Sequence, residues 1–263
     1  MTDVLRYGPW AVVAGGSEGV GAEMARQLAA DGFHLLLVAR RPEPLEATAE
    51  SARALGAEVR TVAVDLTDPD AVGAVVAAVA DVEVGLLVYN AGANTSAEPF
   101  SGGDLGAAMG VVDLNVIAML RLTYGLLDPM KTRGRGGVLL VGSLAGYVGT
   151  STESVYGAAK AFGRIFAEGL WAELRGDGID VLHLVLGLTR TPAMQRAGLD
   201  FDLPGLHVAD PAAVAAEGLA ALGSGPVHVV AGNEASVERR SGPDRARLVL
   251  GTEKIMRLLV PRT

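Results

Sequence analysis

Short aliphatic runs recur along the chain, each followed by a stretch of helical composition. The runs occupy residues 10–14, 34–39, 59–64, 84–89, 138–141, 181–186 and 227–231. They are rich in Val and Leu and nearly continuous in apolar character rather than alternating, which predicts strands buried on both faces, as in a parallel sheet. The intervening segments 21–30, 45–55, 69–80, 105–127, 155–174 and 211–222 are long enough for the crossover helices that parallel neighbours need. Gly32 and Gly56 follow two of them, and Asp68-Pro69 and Asp210-Pro211 read as a cap with proline at the first helical position. Seven strand–helix units in series, with no Pro/Ser-rich linker between them, predict one α/β domain: a doubly wound parallel sheet of about seven strands with helices on both faces.

Two stretches break this rhythm. Residues 187–209 form a long loop after the sixth run, carrying Pro192, Met194, Leu199, Phe201, Leu203, Pro204 and Leu206. It leaves the carboxyl edge of a strand, where ligands bind in open α/β sheets, so it is the expected substrate loop. The tail 234–263 starts charged (Glu238, Arg239, Arg240) and ends in Ile255-Met256-Arg257-Leu258-Leu259, a short amphipathic helix by pattern. A packing or subunit-contact role is expected for it ahead of a membrane role, which needs a stronger basic-amphipathic pattern.

Composition narrows the chemistry. Half of the 263 residues are apolar and only 20% are charged, enough for a large core. The net charge of −8 argues against a nucleic-acid binder. With no cysteine, thiolate catalysis, disulfides and Cys-ligated metals are excluded, and four isolated histidines make a metal site unexpected. The longest apolar-plus-Gly run, residues 71–80, falls short of the ~20 residues of a membrane span, and no signal sequence is apparent. The expectation is a soluble cytoplasmic protein with no membrane partner. Glycine is abundant, at 35 residues, which suggests close backbone approach to something.

The first run leads into Ala14-Gly15-Gly16-Ser17-Glu18-Gly19-Val20-Gly21 and then a helix. Glycines at 15, 19 and 21 allow a tight turn and near contact with a pyrophosphate, for which the helix N-terminus supplies unpaired N–H groups. A purely structural glycine turn gives the same pattern, but its place directly after the first strand favours a dinucleotide. Gly15, Ser17, Glu18, Gly19, Val20 and Gly21 are the candidate contacts. The second run ends in Val38-Ala39-Arg40-Arg41, where NAD sites usually carry an acid for the ribose 2′-hydroxyl. Two guanidinium groups and no acid suit a 2′-phosphate, so NADP(H) is preferred, with NAD(H) the alternative and Glu18 a mild counter-indication.

Tyr156 and Lys160 stand four apart on a predicted helix, so the ammonium can sit beside the phenol and lower its pKa. The same spacing arises in solvated helix pairs. Ser143 directly follows the fifth run, where a hydroxyl can hold a carbonyl or simply cap a turn. Asn115 lies inside a helical stretch, which calls for a reason or a kink.

With these residues assembled, the chain resembles the compact, single-domain branch of the short-chain dehydrogenases/reductases over roughly residues 10–232. The glycine loop matches the family's T-G-x-x-x-G-x-G with Ala14 in place of threonine; Asn90-Ala91-Gly92 matches its N-A-G; Asn115, Ser143, Tyr156 and Lys160 match its catalytic tetrad in order and spacing. Leu186-Gly187-Leu188-Thr189-Arg190-Thr191 keeps the glycine and threonine of P-G-x-x-x-T and lacks the proline. The resemblance implies a Rossmann-like fold, with Asp65 and Leu66 near the adenine, Asn90, Ala91 and Gly92 beside the cofactor, and Gly187, Thr189 and Thr191 near its carboxamide or pyrophosphate. It implies Tyr156 as acid or base, Lys160 on the nicotinamide ribose, Ser143 on the substrate oxygen and Asn115 holding a water. The implied activity is carbonyl–alcohol interconversion by hydride transfer on an apolar or bulky small molecule, without metal. An acyl-thioester ketoreductase and a non-catalytic NADP-binding sensor are the alternatives. A homodimer or homotetramer through helices 105–127 and 155–174 is implied as well.

Overall fold

The computed structural model describes residues 2–94, 97–202 and 206–259. Leu203 and Pro204 of the expected substrate loop lie outside them, as does the end of the tail, 260–263. The seven strands are β1 (Trp10–Ala14), β2 (His34–Ala39), β3 (Val59–Ala63), β4 (Val84–Tyr89), β5 (Gly136–Ser143), β6 (Ile179–Leu186) and β7 (Val227–Val229). They form one sheet of order β3-β2-β1-β4-β5-β6-β7, with every neighbouring pair parallel. The chain reverses its winding between β1 and β4, so a crevice opens beyond their carboxyl ends.

The helices are α1 (Val4–Tyr7), α2 (Gly19–Ala30), α3 (Pro42–Arg53), α4 (Ala71–Ala77), α5 (Leu105–Val112), α6 (Ala118–Arg133), α7 (Ser154–Leu174), α8 (Pro192–Arg196), α9 (Pro211–Ala221), α10 (Glu234–Arg240) and α11 (Arg245–Leu259). Alternate strand residues feed two cores. Ala11, Val13, Leu35, Leu37, Leu86 and Leu139 pack with Met24, Leu28, Val214 and Leu219 of α2 and α9. Trp10, Val12, Leu36, Val38, Leu87 and Leu140 pack with Val75, Leu122 and Leu170 of α4, α6 and α7. Continuous apolar runs are what a strand needs when both faces meet helices.

Several boundaries differ from the sequence reading. The edge strand β3 buries only Val59 fully, because one side of it has no neighbour. Asp68-Pro69 closes a turn ahead of α4, with Ala71 N donating to Asp68 O at 3.2 Å, and Asp70 is the cap position. At α9 the expected cap holds: the Asp210 carboxylate accepts from Ala212 N and Ala213 N, with Pro211 in the first turn. The segment expected to end at 127 runs through Pro129 to Arg133, where Gly134 turns left-handed (φ 66°). Together α5, the turn after it and α6 make a 29-residue helix long and apolar enough to cross a membrane by length and composition. Here it packs on β4 and carries a site residue. The loop 187–209 contains the unforeseen α8, whose first turn is capped by Thr191 Oγ1 accepting from Met194 N. In the tail, α11 is a full helix from Arg245, ten residues earlier than the apolar cluster suggested, because α10 and α11 pack back onto the domain.

Candidate active site

The glycine loop is built by close approach of backbone to backbone. Gly15 has φ +81°, and a Cβ on it would lie 2.7 Å from Ala91 N. A Cβ on Gly21 would overlap Gly15 O and stand 2.5 Å from Asn90 Nδ2. Asn90 locks the arrangement: its Nδ2 donates to Gly15 O at 2.9 Å and its N to Ala14 O at 2.9 Å. The segment 90–92 is thereby stapled to the loop after β1, across the winding switch. At the start of α2, Glu18 occupies the cap position without a side-chain bond to the helix, so the first-turn N–H groups of Gly19, Val20 and Gly21 are not capped by it. This cradle, which side chains would fill, fits a pyrophosphate. Val20 contributes backbone only, since its side chain enters the core. Ser17 is tied down through its carbonyl, which accepts from Thr48 Oγ1 at 3.2 Å.

The loop after β6 reaches over the same place. Thr191 Cγ2 lies 3.0 Å from where a Gly19 Cβ would be. Gly187 packs against the Asn233 side chain, Thr189 pairs with Ala209, and the Thr189 hydroxyl donates to Gly187 O at 3.2 Å. Arg196 of α8 joins Arg41 on the Glu18 carboxylate, with Nη1 3.0 Å from Oε2; Arg41 Nη2 lies 2.5 Å from Oε2. Arg196 above all, then Arg41, hold the Glu18 carboxyl below its usual range against the upward push of burial. The acid that seemed to argue against a phosphate is thus neutralised by two cations.

The two arginines after β2 are not equivalent. Arg41 is committed to Glu18, whereas Arg40 is 60% exposed and 3.6 Å from Asp65 Oδ2. Burial pushes the Asp65 carboxyl up, but bonds from Thr67 N (3.0 Å) and Thr67 Oγ1 (2.8 Å), with Arg40, bring it below the usual range. Leu66 beside it is buried in the core.

Asn115, Ser143, Tyr156 and Lys160 come from three elements. Asn115 lies in a π-helical turn, Asp113–Ile117, between α5 and α6, which is the kink its presence called for. Its Nδ2 donates to Val111 O at 2.9 Å and Ala93 O at 3.1 Å, while its buried Oδ1 has no partner. A Cβ on Gly92 would be 2.7 Å from that oxygen and 2.8 Å from Lys160 Nζ, so both side chains converge on Gly92. Lys160 Nζ donates to Val141 O at 3.1 Å and lies 5.6 Å from the centre of the Tyr156 ring. An unpaired buried acceptor next to a buried ammonium suits a bound water.

Ser143 ends β5. Its Oγ accepts from Ala145 N at 3.1 Å, which is the capping role, and it also hydrogen-bonds the Tyr156 phenol. The sequence reading had Lys160 lowering the phenol pKa. The structure reverses the net sense: burial pushes Tyr156 up to about 12, the charge of Glu153 adds to this, and Ser143 pulls the other way. Burial acts on Lys160 too, pushing its ammonium down to about 8. For both groups the loss of water around the charged form is the leading cause.

Glu153 was not singled out from sequence. It precedes α7, three residues before Tyr156, and hydrogen-bonds Asn94. Its signal was an acid at i,i+3 spacing from the tyrosine. His183, on β6, is 2% exposed with Nδ1 unpartnered, filling the space left by Gly142. Among the described residues no cluster of metal-ligating side chains occurs.

A family model described as short chain dehydrogenase matches residues 9–200. The chain is similar to a very-long-chain 3-oxoacyl-CoA reductase of Laccaria bicolor, 37% identical over 183 residues, covering 68% of this chain and 54% of that protein. It is similar to a 7beta-hydroxysteroid dehydrogenase of Clostridium sardiniense, 30% identical over 188 residues, covering 71% and 72%. The chain thus spans only about half the length of the first of these reductases. A solved structure from work on 7beta-hydroxysteroid dehydrogenase stereoselectivity superposes with a TM-score of 0.87 at 26% identity, covering 95% of this chain and 99% of that one. A short-chain dehydrogenase from Sphingobium yanoikuyae in complex with NADPH superposes with a TM-score of 0.79 at 30% identity, covering 93% and 96%.

Proposed function

The chain belongs to the short-chain dehydrogenase family, and from that premise we propose that it is an NADP(H)-preferring oxidoreductase interconverting a bulky, apolar ketone and its secondary alcohol. One observation carries the reading: Asn115 and Lys160 converge on Gly92, whose segment is stapled to the glycine cradle through Asn90, while Tyr156, one helical turn before Lys160, has Ser143 beside its phenol. Bound NADP(H) supplies or accepts the hydride. Gly15, Gly19 and Gly21, with the first-turn N–H groups of α2 that Glu18 leaves uncapped, would hold its pyrophosphate. Arg40 would hold the 2′-phosphate, and Arg41, engaged on Glu18, would add its charge nearby.

The chain's own residues handle the proton and the oxygen. Ser143 orients the substrate oxygen toward Tyr156. The phenol, protonated at neutral pH, gives its proton to that oxygen in reduction and takes it back in oxidation. Lys160 and the open Asn115 Oδ1 hold a water through which the phenol is reprotonated. Met194, Leu199 and Phe201 of the loop after β6 are the expected apolar wall. Similarity to a long-chain 3-oxoacyl-CoA reductase and to a hydroxysteroid dehydrogenase supports a bulky apolar substrate. Exposed Leu105, Met109 and Tyr124 of α5–α6, with Phe162 and Ile165 of α7, support a homo-oligomer through these helices.

The test is NADPH consumption at 340 nm with a panel of steroid ketones, long-chain 3-oxoacyl thioesters, aryl ketones and ketoses. Turnover is expected with the first two or three classes and lost in Tyr156→Phe, which should still bind NADPH. Turnover undiminished in that variant overturns the reading.

A further inference from the structure

The tail after β7 does not end at the sheet. Helices α10 and α11 fold back onto the segment joining Ser143 to Tyr156, a single-turn helix at Leu144–Tyr147 and the loop to Ser154. Arg240 Nη1 donates to Leu144 O at 2.9 Å, and Arg245 Nη2 donates to Tyr147 O at 2.6 Å. Further along, Ser151 Oγ donates to Glu253 Oε2 at 3.0 Å, and Ser151 N donates to the same carboxylate. Thr252 beside it is buried. The strap therefore grips the loop at three points, and one grip falls on the residue after Ser143.

Arg240 is the part of this strap closest to the chemistry. Besides fixing Leu144, its charge acts on Glu153, which stands three residues ahead of Tyr156. Glu153 is half-buried, and burial raises its carboxyl above the usual range; Asn94, Arg240 and Thr150 offset this only in part, and Glu253 adds to it. The groups facing this corner are Glu153 at the cap position of α7, Lys160 on α7, Ser143 on β5, Asn94 after β4, Arg239 and Arg240 on α10, and Glu253 on α11. A buried anion near a phenol opposes loss of the phenol proton, and a cation beside that anion offsets it.

We propose that Arg240 is a positioning residue for the carbonyl chemistry, holding the backbone next to Ser143 and compensating the Glu153 carboxylate at the cap of the helix that carries Tyr156. The inference rests on Tyr156 being the proton donor. In its absence the loop loses the one of its three anchors that adjoins Ser143, and the Glu153 charge acts on the phenol without compensation. The phenol then gives up its proton less readily.

The experiment measures kcat and KM at neutral pH for the wild-type chain, Arg240→Gln, Arg240→Lys, Glu153→Gln and the Arg240→Gln/Glu153→Gln double variant, with NADPH affinity and melting temperature alongside. Arg240→Gln is expected to lower kcat about tenfold, with KM and NADPH affinity held within about twofold. Arg240→Lys should restore kcat, and adding Arg240→Gln to Glu153→Gln should cost about threefold rather than tenfold, because only the backbone anchor is then lost. Unchanged kcat in Arg240→Gln overturns the proposal, as does the same tenfold loss in the Glu153→Gln background. Tyr156→Phe separates the two levels. If it remains active, the functional reading has failed; if it is inactive and kcat of Arg240→Gln is unchanged, only the Arg240 inference has failed.

Discussion

Replacing Gly142 with alanine tests how the strand that ends in Ser143 is packed. A Cβ on Gly142 would overlap Cε1 and Nε2 of His183 on the neighbouring strand and stand 2.9 Å from its Nδ1. The ring cannot easily retreat: it is 2% exposed, and a Cβ on Gly163 of α7 would already be 3.6 Å from Nε2. Overpacking of this kind costs about 1–3 kcal/mol, and with a rigid ring between two elements the upper end applies. At about 2–4 °C per kcal/mol for a chain of this size, Gly142→Ala should melt roughly 6–12 °C below wild type. His183→Ala alone removes a packed ring, a loss of about 2–4 kcal/mol, but also an unpartnered buried nitrogen whose desolvation had cost about 1–3 kcal/mol. In the His183→Ala background the new methyl enters vacated space and stiffens the unfolded chain, so Gly142→Ala becomes neutral or stabilising by up to about 1 kcal/mol. The coupling between the two sites is therefore about 3 kcal/mol. Urea melts of wild type, both single variants and the double variant measure it. An equal cost of Gly142→Ala in both backgrounds refutes the packing argument.

Other expectations follow from the same geometry. Burial, then Lys160 and Arg164, push His183 down to about 3, so the folded state binds fewer protons than the unfolded one below the ordinary value of 6.5. Stability should fall as pH drops from 6.5 toward 3, and His183→Ala should remove that part of the slope in urea melts at pH 8 and pH 5; parallel slopes would contradict it. Gly92→Ala meets only side-chain ends, Asn115 Oδ1 and Lys160 Nζ, so the fold should survive while the displaced ammonium lowers kcat about 10- to 100-fold. Steady-state kinetics with a melting control checks this, and unchanged kcat refutes it. Arg40→Ala removes a charge-assisted contact worth about 1.5–3 kcal/mol, so NADPH affinity should drop about 10- to 100-fold. NADH affinity should be little changed; fluorescence titration showing NADH bound more tightly than NADPH by wild type would overturn the cofactor preference.

Much of this protein is local in origin. Continuous apolar runs announce strands buried on two faces, because solvent on either side would leave polar residues at alternate positions. The glycines at 15, 19 and 21, the Asn90-Ala91-Gly92 segment and the Tyr156/Lys160 spacing each report a backbone or helix-face requirement that a single segment can state. Asn115 announced a disturbed helix, and the π turn is that disturbance. What the segments could not state was who meets whom. That Asn90 ties the two sides of the winding switch together, and that Glu18 is neutralised by an arginine 178 residues away, depends on strand order and on loops meeting over one edge. The direction of the Tyr156 shift also had to come from the assembled molecule. Spacing shows a cation and an acid near a phenol, but only packing reveals how far the phenol and the ammonium are removed from water, and that this outweighs the rest. The tail is the extreme case: its hydrophobic pattern announced a helix, while its grip on the loop between Ser143 and Tyr156 exists because distant carbonyls and a serine come within hydrogen-bonding range. Sequence sets propensity and chemistry residue by residue; burial and long-range charge are properties of the assembled chain, and they decided how that chemistry is poised.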